Sequence, residues 1–202
     1  MDVARLCSDL IQIESENPPG RTAEVIEYIC GYLDALGIQS TVIRNSGGRD
    51  NLIAVSPQNR LLLCGHVDVV PALRDGWKFD PYAGCLHEGF VWGRGASDMK
   101  GGCAALLHAL KTVLDAGREP KANVAFVCDE ESGGKYGIRQ LLRKNLLPPA
   151  DCLIAEPTPP LSPVIGQKGL CRLNLEFAGE PGHGSLYPRV GISAVMEAFA
   201  LL

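Results

Sequence analysis

The chain has 202 residues, with 19 Lys+Arg against 23 Asp+Glu, a formal net charge of −4 and 46% hydrophobic residues. This length allows one large domain, or one domain plus part of another, and mild acidity without a basic block argues against nucleic-acid or anionic-membrane partners. No run of about 18 apolar residues is present to span a membrane, and Met1-Asp2-Val3-Ala4-Arg5 lacks the basic-then-apolar order of a signal peptide, so a cytoplasmic protein is expected.

Apolar positions at Val3, Leu6, Cys7, Leu10, Ile11 and Ile13 predict a first helix over 2–13. Thr22 can cap a second helix that runs to Leu36 and stops at Gly37. Ser40–Ile43 and Leu52–Val55 read as strands, and the unbroken apolar run Leu61–Gly65 as a strand buried on both faces. A long loop with Trp77, Pro81 and Gly84 leads to a short strand at Phe90-Val91-Trp92. Asp98 can cap a helix from Met99 to Ala116, whose Ala104, Leu107, Leu110 and Leu114 share a face. A buried strand (124–128), a helix (136–145) and another strand (152–155) follow. Helices between buried strands indicate an α/β sandwich around a largely parallel sheet. Pro157-Thr158-Pro159-Pro160 is the expected boundary to a second unit, with an alternating strand within 164–178 (Leu173, Leu175, Phe177), a loop at Gly179–Ser185 and a helix starting near Gly191. The eight cysteines are spread without any C-x-x-C pair and are expected to be reduced and mostly buried.

Acidic residues and one histidine recur just beyond the predicted strands: His66 and Asp68 after 61–65, Asp129-Glu130-Glu131 after 124–128, and Glu156 after 152–155. Asp98 lies in the Gly-rich stretch Gly93–Gly102. In parallel α/β sheets ligands bind at the carboxyl ends of strands, so these groups are placed to converge. Each has a plainer reading alone: Asp98 as a helix N-cap, Glu130 and Glu131 as a solvated turn, Glu156 as a turn before proline, His66 as a hydrogen-bonded strand-end histidine. Together, massed carboxylates would repel, and a bound divalent cation cures that; imidazole with carboxylates suits zinc or a similar divalent ion. Asp68, two residues beyond His66 on an extended segment, can reach the imidazole and fix the tautomer that frees its other nitrogen. The Gly-rich stretch lacks the order of a phosphate loop and carries a carboxylate in its middle. A cysteine hydrolase is disfavoured because Cys64 and Cys128 belong to apolar strand runs.

Gly65-His66-Val67-Asp68-Val69-Val70-Pro71, Gly93–Gly102, Asp129-Glu130-Glu131-Ser132-Gly133-Gly134 and Glu156-Pro157-Thr158 resemble, in that order, one family. It is the zinc amidohydrolase family of acetylornithine deacetylase, succinyl-diaminopimelate desuccinylase, aminoacylase and carboxypeptidase G; Trp77–Pro81 and His183-Gly184-Ser185 fit it too. The resemblance implies a three-layer, zinc-exopeptidase-like catalytic domain over 1–163 and the start of a small α+β lid and dimerisation domain over 164–202. It implies a site for two divalent ions, zinc with cobalt as the alternative. His66, Asp98 and Glu156 would hold one, Asp98 would bridge to the second, and Glu131 would bind the second. Asp68 would orient His66, Glu130 would be the general base, and His183 would steady the oxyanion in a neighbouring subunit of a homodimer. The substrate implied is a small N-acyl amino acid or short peptide.

Family members are considerably longer, and the histidine that completes the second metal site has no counterpart here. Of the remaining histidines, His87 lies in a loop-to-strand segment and His108 within a helix, and neither matches a ligand motif. One complete metal site, a second lacking a ligand and little turnover by this chain alone are therefore expected. The alternative is a non-catalytic metal-binding remnant of the same fold.

Overall fold

A computed structural model describes residues 2–158, 162–166, 168–169, 171 and 173–201. They divide into two compact units, Met1–Ser162 and Pro163–Leu202.

In the first unit, α1 (Val3–Gln12) begins where the Asp2 carboxylate accepts the Arg5 N–H at 2.8 Å, a side-chain N-cap. Its buried face is Leu6, Cys7, Leu10 and Ile11. Thr22 does occupy the N-cap position of α2 (Ala23–Ala35), but its hydroxyl donates to the Asp50 carbonyl at 2.7 Å instead of serving the helix. That bond ties the helix start to the connection between β1 (Thr41–Ile43) and β2 (Asn51–Ala54). Strand β3 (Leu61–His66) follows, then a hairpin of β4 (Cys85–His87) and β5 (Phe90–Trp92). The sequence predicts β5 alone. Its partner is set by a tight turn in which Glu88 (φ 51°) and Gly89 (φ 81°) are both left-handed, and glutamate is not a residue that signals such a turn.

Helix α3 (Lys100–Asp115), β6 (Asn123–Val127), α4 (Ile138–Arg143) and β7 (Asp151–Ile154) complete the unit. The sheet order is β1-β2-β6-β3-β7, with β3 parallel to both β6 and β7 and with β1 and β2 antiparallel at one side. Alternation along the strands separates two cores. Leu52, Leu63, Val124 and Phe126 meet α1, α2 and α3, whereas Ile53, Leu62, Cys64, Ala125 and Val127 meet Leu141 of α4. The result is the α/β, helix–sheet–helix layering expected, around a mixed, largely parallel sheet.

Two helix starts differ from expectation. Asp98 does not cap α3: Met99 holds the N-cap position, and the Asp98 carboxylate is engaged by His66. Helix α4 starts two residues late because the N–H groups of Tyr136 and Gly137 bond the Asp129 carboxylate at 3.0 and 2.9 Å. The eight cysteines are free, as expected, yet only Cys7, Cys64, Cys103 and Cys128 are buried; Cys152 is exposed on the outermost strand β7 and Cys171 in the second unit.

The second unit contains an antiparallel bridge between Glu180 and Ile192, a 3-10 turn at Gly184–Leu186 and helix α5 (Ala194–Leu201). The strand expected within 164–178 does not form among the described residues. Leu173 and Leu175 are 76% and 59% exposed, and an alternating pattern makes a strand only where a neighbour completes the ladder. Pro159, Pro160, Gln167, Leu170 and Arg172 lie outside the described residues.

Candidate metal centre

Because β6, β3 and β7 run parallel, their carboxyl ends share one edge of the sheet. His66 ends β3, the Asp129–Ser132 turn follows β6, and Glu156 follows β7. Asp98 reaches the same edge from the start of α3. A Cβ at Gly65 would meet Cys103 Sγ at 2.8 Å, so the first turn of α3 packs on β3 with no room for a side chain between them.

These elements bring His66 Nε2 to 3.0 Å from Asp98 Oδ1, 3.5 Å from Glu156 Oε1 and 3.9 Å from Glu130 Oε2. Ligand atoms of His66, Asp98 and Glu156 lie within 4.8 Å of one another. His66 is buried, whereas Asp98 and Glu130 are about half exposed, which leaves the group open on one side. The opposite ring nitrogen, Nδ1, is 2.9 Å from the Asp68 backbone carbonyl and 3.5 Å from its carboxylate. A carbonyl only accepts, so Nδ1 carries a proton, and once Nε2 gives up its own proton its lone pair faces the carboxylates.

The Asp68 carboxylate is fully buried and densely bonded. It accepts from Asn17 Nδ2 at 2.8 Å, the Glu130 N–H at 3.1 Å and the Glu131 N–H at 3.2 Å. Ser132 Oγ donates to Asn17 Oδ1 at 2.9 Å, which closes a ring of contacts under the site. Asp129, left-handed at φ 53°, bends the chain out of β6 so that Glu130 and Glu131 follow in a single 3-10 turn.

The charges are poised for a cation. Burial raises the pKa of Glu156, and repulsion from Asp98 and Glu130 adds to this, against the opposing pull of His66. Glu131 is raised in the same direction by burial and then by Asp98. Burial opposes the charged form of His66, but the Asp68 and Glu156 carboxylates outweigh it and push the ring up to about 9. For Asp68, burial raises the pKa, and the bonds from His66 and Asn17 overcome it, so its pKa is lowered. One imidazole nitrogen and two carboxylates converging, with further carboxylates that gain from a positive charge, fit a divalent metal ion.

Glu130 and Glu131 therefore border the His66–Asp98–Glu156 group, and Asp68 lies behind it. His183 belongs to the second unit, where its Nδ1 bonds Ser185 Oγ at 2.8 Å and accepts the Ser185 N–H at 3.3 Å. Asn17, Ser132 and Asp129 are positioning residues: Asp129 and Ser132 stand within the sequence motif without a role assigned to them, and the sequence does not single out Asn17. Lys100 was missed as well. It is fully buried, its ammonium donates to the carbonyls of Leu10 at 3.0 Å and Ile13 at 2.7 Å at the end of α1, and burial lowers its pKa to about 8.

The sequence profile of Peptidase family M20/M25/M40 matches residues 62–198. The chain is 34% identical over 175 residues to acetylornithine deacetylase of Vibrio parahaemolyticus, covering 86% of this chain and 46% of that protein. It is 36% identical over 195 residues to succinyl-diaminopimelate desuccinylase of Methylobacterium radiotolerans, covering 89% and 49% respectively. The chain thus spans about half the length of the curated relatives it matches. An M20 family metallo-carboxypeptidase from Sulfolobus solfataricus superposes with a TM-score of 0.63 at 26% identity, covering 77% of this chain and 37% of that one. A tripeptidase from Staphylococcus aureus shares the fold, with a TM-score of 0.61 at 19% identity over 98% of this chain and 54% of its own. With its profile match extending over most of its length, the chain belongs to peptidase family M20/M25/M40.

Proposed function

We propose that the chain is the metal-binding part of an amidohydrolase that removes an N-acyl group from an amino acid or a short peptide. The observation that supports this most is the convergence of His66 Nε2, Asp98 Oδ1 and Glu156 Oε1 within 4.8 Å, with Glu130 Oε2 3.9 Å from the same nitrogen. A divalent ion held there, zinc before cobalt, would supply Lewis-acid chemistry, polarising the scissile carbonyl and acidifying a water. Glu130 takes the proton from that water as its oxygen bonds to the carbonyl carbon. The same carboxyl then gives the proton to the amide nitrogen as the C–N bond breaks, and the second water proton passes from the new carboxylic acid to the amine, leaving a carboxylate and an ammonium group. Asp68 holds the His66 ring and the Glu130 backbone still while this happens. The names of the deacetylase and desuccinylase relatives support an N-acyl substrate.

By resemblance, Asp98 and Glu131 would hold a second ion, and His183 would steady the oxyanion in the site of a neighbouring subunit of a homodimer. The test is elemental analysis after zinc loading and exhaustive dialysis, followed by assay of N-acetyl and N-succinyl amino acids with a polypeptide of the relatives' full length. Retention of about one zinc per 202-residue chain and chelator-sensitive hydrolysis by the full-length polypeptide are expected. Failure to retain zinc would overturn the assignment of the ligands. Zinc retention without hydrolysis would favour a non-catalytic, metal-binding role.

A further inference from the structure

Beyond the metal centre, the connection between β1 and β2 and the segment around α4 enclose a cleft of about 370 Å³. Lys135, Arg143 and Lys144 line it, and no carboxylate does so among the described residues. None of the three cations forms an ion pair among the described residues. Elsewhere in this chain of net charge −4, Arg5, Arg44, Arg74 and Lys111 each pair with an acid. Arg143 and Lys144 end α4, where positive charge opposes the helix dipole. Lys135 precedes the helix, so the dipole gives no reason for its presence.

The floor of the cleft is pre-built. Gln140 Nε2 donates to Asn45 Oδ1 at 2.7 Å, and Asn45 Nδ2 donates to the carbonyls of Arg49 at 2.8 Å and Tyr136 at 3.3 Å. Tyr136 carries two cations near its ring, Arg49 at 5.1 Å and Lys135 Nζ at 5.2 Å from the centroid. Like charges gathered around a fixed polar floor repel one another until an anion joins them, and a guanidinium beside two ammonium groups suits the oxygens of carboxylate or phosphate. The volume lies near the lower end of the range for small-molecule sites, about 300–1,000 Å³.

We propose that this cleft binds a small polyanion bearing two or more carboxylate or phosphate groups, held by Lys135, Arg143 and Lys144. The site is independent of the proposed amide hydrolysis and stands or falls separately from it. Its test is calorimetric titration of the chain, after chelation and dialysis, with tricarballylate and with inorganic pyrophosphate at fixed ionic strength. In parallel, mass spectrometry would follow acetylation of Lys135 and Lys144 with an amine-reactive ester. Saturable binding of either anion is expected, with both lysines protected and the affinity at least tenfold weaker in Lys135→Ala/Arg143→Ala. Preference between the two anions tells a carboxylate ligand from a phosphate one. No saturable binding at 10 mM (roughly the weakest small-ligand affinity of interest), or binding that the double variant retains at full strength, would overturn the proposal. Thermal melts of the double variant matching the parent exclude misfolding as the cause of a loss.

Discussion

Asp68 and Glu130 are joined by a hydrogen bond from the Glu130 N–H to Asp68 Oδ1 at 3.1 Å, while the Asp68 carbonyl lies 2.9 Å from His66 Nδ1. A single residue therefore holds both the imidazole of the candidate metal centre and the turn bearing the candidate base. Its carboxylate meets only donors: Asn17, Glu130, Glu131 and, at 3.5 Å, Nδ1 of His66. In Asp68→Asn either orientation of the amide sets an NH2 against at least one of them and discards an acceptor. Unmade bonds to a buried charged group cost about 1–3 kcal/mol, and loss of such support behind a histidine ligand weakens metal affinity about 10–100-fold. Competition titration with a zinc chelator reads the affinity and a thermal melt the stability. A variant binding zinc as tightly as the parent would show that Asp68 positions nothing.

Glu130→Gln separates the base from the ligands. Its side chain is about half exposed and stands 3.9 Å from His66 Nε2, farther than Asp98 or Glu156. Zinc stoichiometry is expected to stay unchanged, while hydrolysis by the full-length polypeptide falls by about 10²–10⁴, the usual share of a general base. Loss of zinc with this substitution would mean that Glu130 is a ligand and that the roles of Glu130 and Glu131 are exchanged.

What the sequence revealed and what it hid follow from the range of the interactions. Strand runs such as Leu61–Gly65 and Val124–Cys128 carry their burial in consecutive apolar residues, so the layered sheet is legible from local pattern. The turn residues after those strands then place His66, Asp98 and Glu156 on one edge by topology alone. Asn17 and Ser132 were not legible, because their partners lie 51 and 115 positions away in the chain. Lys100 likewise carries no sign of burial, since the carbonyls it caps are 87 and 90 positions distant. The misread caps have the same origin: Thr22 and Asp98 have capping chemistry, but tertiary partners claim their side chains first.

The loop that follows Asp68 is anchored by Glu16. Its Oε1 accepts the Ala72 N–H at 3.0 Å and the hydroxyl of Tyr82. The Tyr82 bond, then the Ala72 bond, hold the Glu16 carboxyl below its ordinary value of 4.5. The unfolded chain therefore takes up this proton at a higher pH than the folded one. The stabilisation is complete above about 4.5 and drains away as the pH falls through the lower, folded value. Glu16→Gln removes this contribution, so its melting temperature is expected to fall less steeply with acid over that window. Superimposable pH profiles for parent and variant would show that the contact carries no weight.

At Gly102, helix α3 packs tightly against the chain leading to Glu156. A Cβ there would lie 2.2 Å from the carbonyl oxygen of Ala155 and 3.0 Å from its Cβ, and Ala155 immediately precedes Glu156. The helix cannot yield easily, because Ala104 and Leu107 beyond it are fully buried and Lys100 before it is bonded to the end of α1. The strain of Gly102→Ala should therefore fall on the chain leaving β7, moving Glu156 away from His66. Overpacking of this kind costs about 1–3 kcal/mol, which for a protein of 150–250 residues corresponds to about 2–12 °C in melting temperature. Zinc affinity is expected to fall with it. Gly31, where an added Cβ meets nothing within 4 Å, provides the control: Gly31→Ala introduces the same methyl into α2 and should leave zinc binding unchanged. Zinc titrations of the two variants alongside the parent decide the matter, and equal affinities in all three would place the contact between α3 and Ala155 outside the control of Glu156.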